Sequence, residues 1–175
     1  MSDMMVKISA GLERAFARRG FAEPSVEDLR DAAGVSLRTL YKYTPSRSQM
    51  VLAALEHRHQ RYLERVFTDL PQESGEALDT ILSRVGEWMV SETSHGCLFH
   101  AAVAAYPASL PLRDLLEGHK AEVAKKAAVA CGIPEKGIEL LVLIEGLTQV
   151  WSLQGPRALD AAKLLGRALL DRHES

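Results

Sequence analysis

The chain has 175 residues, of which 47% are hydrophobic and 25% charged, and a formal net charge of −2. This composition is ordinary for a folded globular protein, and the sequence contains no low-complexity tract. Its two cysteines, Cys97 and Cys131, exclude a dense disulfide framework and favour a reducing compartment.

The charge is distributed unevenly along the chain. Residues 1–65 contain eleven Lys and Arg against eight Asp and Glu, a balance of +3, whereas residues 66–175 contain ten against fifteen, a balance of −5. A basic front joined to an acidic back indicates that only the N-terminal part meets a polyanion. Because the sequence has neither a signal-peptide core nor a run long enough to span a bilayer, we expect a cytoplasmic protein with no membrane partner.

The first three predicted elements are helices. Apolar residues at three-to-four spacing, including Ile8 and Phe16, predict a first helix that stops at Gly20. A capping box that begins at Ser25 opens a second helix, which ends at Gly34. A third, very short helix follows and must close before Pro45, because the residue preceding a proline is disfavoured in helices.

The rest of the chain is predicted to be helical as well. A long helix runs from Arg47 to about Leu70, and its residues His57, Arg58, His59 and Arg61 read as a solvated face. The later helices are predicted at about 77–93, 98–106, 112–131, 135–153 and 156–173. We therefore predict an all-α fold of about nine helices, with no strands.

Residues 36–47 have the pattern of a DNA-reading helix. Leu37, Leu40 and Thr44 lie at i, i+3 and i+7, a spacing that allows them to face inward. The outward stripe consists of Arg38, Tyr41 and Lys42, flanked by Thr39 and Tyr43. Guanidinium, ammonium and hydroxyl groups suit phosphate oxygens and base edges, and the helix N-terminus at Ser36 favours phosphate, as does the helix start at Arg47. The alternative is an ordinary solvated helical hairpin.

The run from Phe16 to Leu55 resembles the N-terminal region of TetR-type transcriptional regulators. The shared elements are an aromatic residue before Arg19-Gly20, the A-A-G-V-S turn at 32–36, T-L-Y at 39–41 and P-S-R at 45–47. The resemblance implies a helix-turn-helix DNA-binding domain over residues 1–46. It also implies a helical ligand-sensing and dimerisation domain over residues 47–175, in which residues 47–70 form a connecting helix.

The resemblance also assigns roles to residues of the third helix. It implies that Thr39, Tyr41, Tyr43 and Arg47 meet backbone phosphates. It implies that Leu37, Arg38 and Lys42 lie nearest the base edges, whereas spacing alone leaves Leu37 either buried or exposed. The family usually has Phe where this chain has Thr44, so we expect looser packing beneath the short helix.

The C-terminal region offers bulky or polar residues on otherwise apolar helices as candidate effector contacts: Trp88, Met89, Phe99, His100, Tyr106, Glu145, Gln149 and Trp151. The alternative is that they are simply core residues. Glu145 has strongly apolar neighbours, so its carboxylate must be paired, protonated or exposed to a cavity. His95, Cys97 and His100 lack the spacing of a metal or catalytic site, so we expect no metal, no cofactor and no enzymatic activity.

The last two predicted helices carry apolar stripes typical of a dimer interface. Small residues at 162 and 166 permit close helix approach, although both stripes could instead pack within one subunit. We predict a homodimer that forms through these helices and binds a palindromic operator, most simply as a repressor that responds to a small-molecule effector. The alternative is a helical protein-interaction module without DNA binding.

Overall fold

The computed structural model describes residues 2–92 and 96–171, which form nine α-helices, one 3-10 turn and no strand. The helices are α1 (Asp3–Arg19), α2 (Val26–Ala33), α3 (Leu37–Tyr43), α4 (Arg47–Phe67), α5 (Ser74–Glu92), α6 (Leu98–Ala105), α7 (Leu110–Ala130), α8 (Gly137–Gln154) and α9 (Pro156–Asp171). The predicted all-α class is confirmed. The 3-10 turn, Pro134–Lys136, leads directly into α8.

The ends of the N-terminal helices lie where the sequence supplies caps. Ser2 Oγ accepts a hydrogen bond from Met5 N at 3.3 Å, and α1 stops at Gly20, whose φ is 72°. At the start of α2, Asp28 N donates to Ser25 Oγ at 3.1 Å and Ser25 N donates to Asp28 Oδ2 at 2.9 Å. The hydrogen bonds from Ser25 hold the pKa of the Asp28 carboxyl below its ordinary value.

The chain forms two compact units, and their division differs from that of the predicted functional domains. The first unit contains the chain up to Arg61 together with Leu98–Leu116. The second contains Tyr62–Cys97 and the chain from Glu117 onward. The first unit therefore includes most of α4 and the whole of α6, in addition to the three helices predicted for DNA binding.

The core of the first unit is built on the inner face of α1. Ile8, Leu12 and Phe16 are fully buried. The Phe16 ring stacks on that of Phe21, with centroids 4.9 Å apart. Helix α2 packs very closely on α1 at Gly11. The approach is so close that a Cβ at this position would overlap the backbone of Ala32.

A buried carboxylate joins α1 to α4 within the same unit. Glu13 is 2% exposed, and its Oε1 accepts hydrogen bonds from Arg58 Nη1 at 3.0 Å and Arg61 Nη1 at 2.8 Å. Its Oε2 lies 2.6 Å from His57 Nδ1. The solvated face predicted for this part of α4 is therefore wrong, because Arg58 and His59 are buried. The charges are tolerated there because Arg58 and Glu13 are paired.

The second unit is organised around α5, α8 and α9, which pack on one another. Its core includes Leu78, Ile81, Leu82, Val85, Leu140 and Ile144. Two glycines allow close helix approach: a Cβ at Gly86 would lie 3.1 Å from Trp151, and a Cβ at Gly166 would lie 2.8 Å from Leu78. The two small residues predicted to allow close helix approach, Ala162 and Gly166, are thus buried within their own subunit.

Candidate DNA-binding surface

Helix α3 is positioned by its two ends and one buried side chain. It follows a turn at Gly34, which adopts the left-handed conformation (φ 63°) that glycine tolerates best. Ser36 Oγ accepts a hydrogen bond from Thr39 N at 3.1 Å and caps the helix N-terminus. Leu40 is fully buried and anchors the seven-residue helix to the first unit. This anchoring is essential, because a helix of this length is unstable alone.

Thr44 is buried and hydrogen-bonded, in contrast to the loose packing expected at this position. It is 1% exposed, and its hydroxyl donates to Leu40 O at 2.9 Å. The backbone N–H of Thr44 donates to the same carbonyl at 2.8 Å. The hydroxyl is therefore satisfied inside the helix end, and threonine both fills the buried position and closes α3.

The side chains predicted to face DNA lie largely at the surface. Five are exposed, namely Ser36, Leu37, Arg38, Tyr41 and Lys42, while Thr39 and Tyr43 are half-buried. Leu37 is 37% exposed, which places it with the outward residues and not in the core. The Lys42 ammonium lies 5.7 Å from the centre of the Tyr43 ring, which is within cation–π range.

The charge on this surface is positive. Within the described part of the chain, Arg38 and Lys42 have no salt-bridge partner. Lys7 of α1 lies beside the turn before α3, where its Nζ donates to Gly34 O at 2.9 Å. Arg38 and Lys42, exposed and without salt-bridge partners beside an exposed helix N-terminus, form a surface suited to phosphate and base edges.

Arg47 behaves differently from the other predicted DNA contacts. Its guanidinium is half-buried and donates to Phe21 O at 2.6 Å, Pro24 O at 2.8 Å and Tyr106 Oη at 3.2 Å. These bonds argue against the predicted phosphate contact, because the guanidinium faces oxygen atoms of its own chain. The same bonds place Tyr106 in the packing of the first unit, which argues against its predicted role as an effector contact.

The predicted effector contacts are divided between the two compact units. The second unit holds Trp88, Met89, Glu145, Gln149 and Trp151, and the first holds Phe99, His100 and Tyr106. Trp88, Met89 and Phe99 are buried core residues, whereas His100 and Gln149 are exposed. Trp88 packs edge-on against Tyr62, with ring centroids 5.3 Å apart. An effector role for any of these residues stays a prediction.

Glu145 is paired, as one of its three predicted alternatives required. Lys120 Nζ donates to Glu145 Oε1 at 2.7 Å and lies 3.5 Å from Cys97 Sγ. The second cysteine, Cys131, is inert by burial, which raises the pKa of its thiol to about 11. His95 lies outside the described residues.

Two residues of structural importance escaped the sequence reasoning. Lys120 lies 25 positions before Glu145, and no helical spacing links the two. Glu13 did carry a signal, because it lies three residues before Phe16 on a predicted apolar stripe. An acidic residue on such a stripe requires buried cationic partners.

Comparison with known proteins agrees with this geometry. Residues 8–54 match the model of the bacterial regulatory proteins of the tetR family. Residues 8–54 therefore form a TetR-type N-terminal domain. The matched residues run from α1 through α3 into α4, and thus include the whole candidate surface. A comparison with curated protein sequences finds no significant match.

Crystal structures of several TetR-type regulators share the complete fold. A TetR-family regulator from Streptomyces coelicolor is 18% identical, with a TM-score of 0.78 over 97% of this chain and 95% of that one. One from Haloarcula marismortui is 16% identical, with a TM-score of 0.78 over 98% of each chain. The reduced form of NemR from E. coli is 18% identical, with a TM-score of 0.74 over 95% of this chain and 96% of that one.

The assignment to the TetR type defines the class of function. Proteins of this type are DNA-binding regulators and not enzymes, and they act as dimers on operator DNA. Among the residues that the structure describes, no helix is long and apolar enough to cross a membrane.

Proposed function

We propose that the protein is an effector-responsive repressor that binds a palindromic operator as a homodimer. The observation that carries the proposal is the outward face of α3, where Arg38 and Lys42 are exposed beside an exposed helix N-terminus. Arg38 and Lys42 suit guanine edges in the major groove, and Leu37 suits a thymine methyl group. Ser36, Thr39, Tyr41 and Tyr43 supply hydroxyl groups to the flanking phosphates.

The proposed dimer interface is the outer surface of α8 and α9. Ile138 and Val142 of α8 are 70% and 66% exposed, and Leu165 of α9 is 62% exposed. Val142 and Leu165 line an apolar groove of about 480 Å³ between the two helices, together with Gly146, Val150 and Ala161. An exposed apolar patch of this kind marks an interaction surface. A two-fold dimer presents two copies of α3 to half-sites about 34 Å apart, or a multiple of that distance.

The effector is proposed to act by selecting between two dimer states. It binds in the C-terminal region and favours the state in which the two α3 helices are wrongly spaced for the operator. Helix α4 is the natural lever, because its residues belong to both compact units. The change in DNA affinity equals, at most, the differential affinity of the effector for the two states.

DNA binding is tested first with a duplex that the wild-type protein selects from a randomised pool. We expect Arg38→Ala and Lys42→Ala each to weaken binding by about 1–3 kcal/mol if they read bases. Affinity should fall steeply with added salt, because phosphate binding releases counterions. Dissociation constants measured by fluorescence anisotropy at several salt concentrations check both expectations.

Lys125→Ala is the matched control, because Lys125 is an exposed cation on α7 in the second unit. It removes the same charge and should leave affinity unchanged. If the wild-type protein enriches no duplex, the proposed function is wrong and an interaction module becomes the better interpretation. If Arg38→Ala and Lys42→Ala bind like Lys125→Ala, the assignment of α3 as the reading helix is wrong.

A further inference from the structure

Arg47, the first residue of α4, holds the loop between α1 and α2. Its Nη1 donates to Pro24 O at 2.8 Å and its Nη2 donates to Phe21 O at 2.6 Å, both in that loop. The guanidinium carbon also lies 5.7 Å from the centre of the Phe16 ring, at the end of α1. A planar group with several fixed donors suits this arrangement, which a lysine ammonium cannot reproduce.

Tyr106, directly after α6, completes the arrangement. Its hydroxyl accepts a hydrogen bond from Arg47 Nε at 3.2 Å and donates one to Phe21 O at 3.3 Å. Its ring meets Phe21 edge-on, with centroids 6.4 Å apart. We call this cluster of Phe16, Phe21, Pro24, Arg47 and Tyr106 the clamp. All five residues belong to the first compact unit.

We propose that the clamp positions α3 for DNA, and that Arg47 and Tyr106 are positioning residues that touch neither DNA nor effector. Helix α3 has seven residues and buries only Leu40 completely, so its orientation depends on α2 and on the loop that leads into α2. The clamp holds that loop against both α4 and α6. Apparent DNA affinity scales with the fraction of molecules in the competent arrangement, so loosening the clamp lowers affinity without removing any DNA contact.

This inference rests on the proposed DNA binding and is tested on the same selected duplex. Arg47→Lys keeps the charge and loses the fork of donors, while Tyr106→Phe keeps the ring and loses the hydroxyl. We expect each to lower affinity about tenfold, as for the loss of one or two hydrogen bonds. The slope of affinity against salt concentration should stay that of the wild type, because no phosphate contact is lost.

The double variant gives the sharpest signature. Since Arg47 and Tyr106 share a hydrogen bond, the double variant should lose clearly less than the product of the two single losses. Arg113→Lys is the matched control, because Arg113 Nη2 donates to a loop carbonyl, Pro107 O, at 2.9 Å in the same unit outside the clamp. It should bind like the wild type.

Three outcomes would overturn the clamp. Wild-type affinity in Arg47→Lys, combined with a salt slope reduced by about 0.9 in Arg47→Ala, would make Arg47 a phosphate contact. Lower melting temperatures with unchanged affinities would make the cluster a stability element only. Strictly multiplicative losses would show that the two residues act separately.

If Arg47→Lys fails to fold, Tyr106→Phe decides alone between lowered and unchanged affinity. Failure of the wild type to select a duplex would instead refute the proposed function.

Discussion

Thr44 closes helix α3 with a single hydroxyl group. Its Oγ1 donates to Leu40 O, which also accepts the backbone N–H of the same residue. The buried oxygen therefore costs little, since a buried hydroxyl is expensive only without a partner. A threonine thus closes the end of α3 with one side-chain hydrogen bond.

Substitutions at Thr44 separate the contributions of its hydroxyl and its volume. We expect Thr44→Val to lower the free energy of unfolding by roughly 0.5–1 kcal/mol, because it keeps the shape and loses one hydrogen bond. Thr44→Phe should cost about 1–3 kcal/mol, because the extra atoms do not fit a fully buried position. Urea titrations followed by circular dichroism measure both. Stability of Thr44→Phe above the wild type would reveal free space that the structure does not show.

At the scale of elements, close helix approach depends on a few glycines. Helix α1 packs on α2 at Gly11, where a Cβ would overlap the Ala32 carbonyl group. Gly118 on α7 offers the contrast, because a Cβ there would meet no atom within 4 Å. The two positions are both helical, so they differ in packing and not in backbone conformation.

Alanine at these two glycines should therefore change stability in opposite directions. Gly11→Ala should destabilise by about 2 kcal/mol, because α1 and α2 must separate. Gly118→Ala should stabilise by roughly 0.5–1 kcal/mol, because alanine is the better helix former. Thermal unfolding followed by circular dichroism checks the signs. A neutral Gly11→Ala variant would mean that α2 can move away from α1 without cost.

The sequence predicted the elements better than their contacts. Helical period, the Ser25 capping box and Gly20 located the first helices, because these signals are local. The outward set on α3 also followed from spacing, except at Leu37. Spacing left Leu37 undecided, because its exposure depends on tertiary packing. The hydrogen bond between Arg47 and Tyr106 was not predicted, because the two residues are 59 positions apart and no local pattern reports a contact across that separation.

At the scale of the whole molecule, the exposed apolar face of α8 and α9 is the proposed dimer interface. We expect Leu165→Asp or Val142→Asp to convert the protein to a monomer, because a carboxylate buried in the proposed interface has no partner. Operator affinity should fall in the same variants, because a monomer binds one half-site and not both. Sedimentation equilibrium reports the oligomeric state.

The matched control for the interface is Val90→Asp, since Val90 on α5 is 75% exposed and lies outside the α8–α9 groove. It introduces the same charge and should leave the dimer intact. A dimeric Leu165→Asp variant combined with a monomeric Val90→Asp variant would move the interface to α5.

The first compact unit is made from two separate stretches of chain, and this bears on how such proteins can be recombined. A chimera that takes residues 1–61 from one regulator and the rest from another inherits Arg47 without the tyrosine that it binds. Exchange of the whole first unit therefore needs three junctions, one after residue 61 and two that bracket residues 98–116. A single crossover after residue 61 transfers the residues proposed to contact DNA but leaves behind residues 98–116, which belong to the same compact unit.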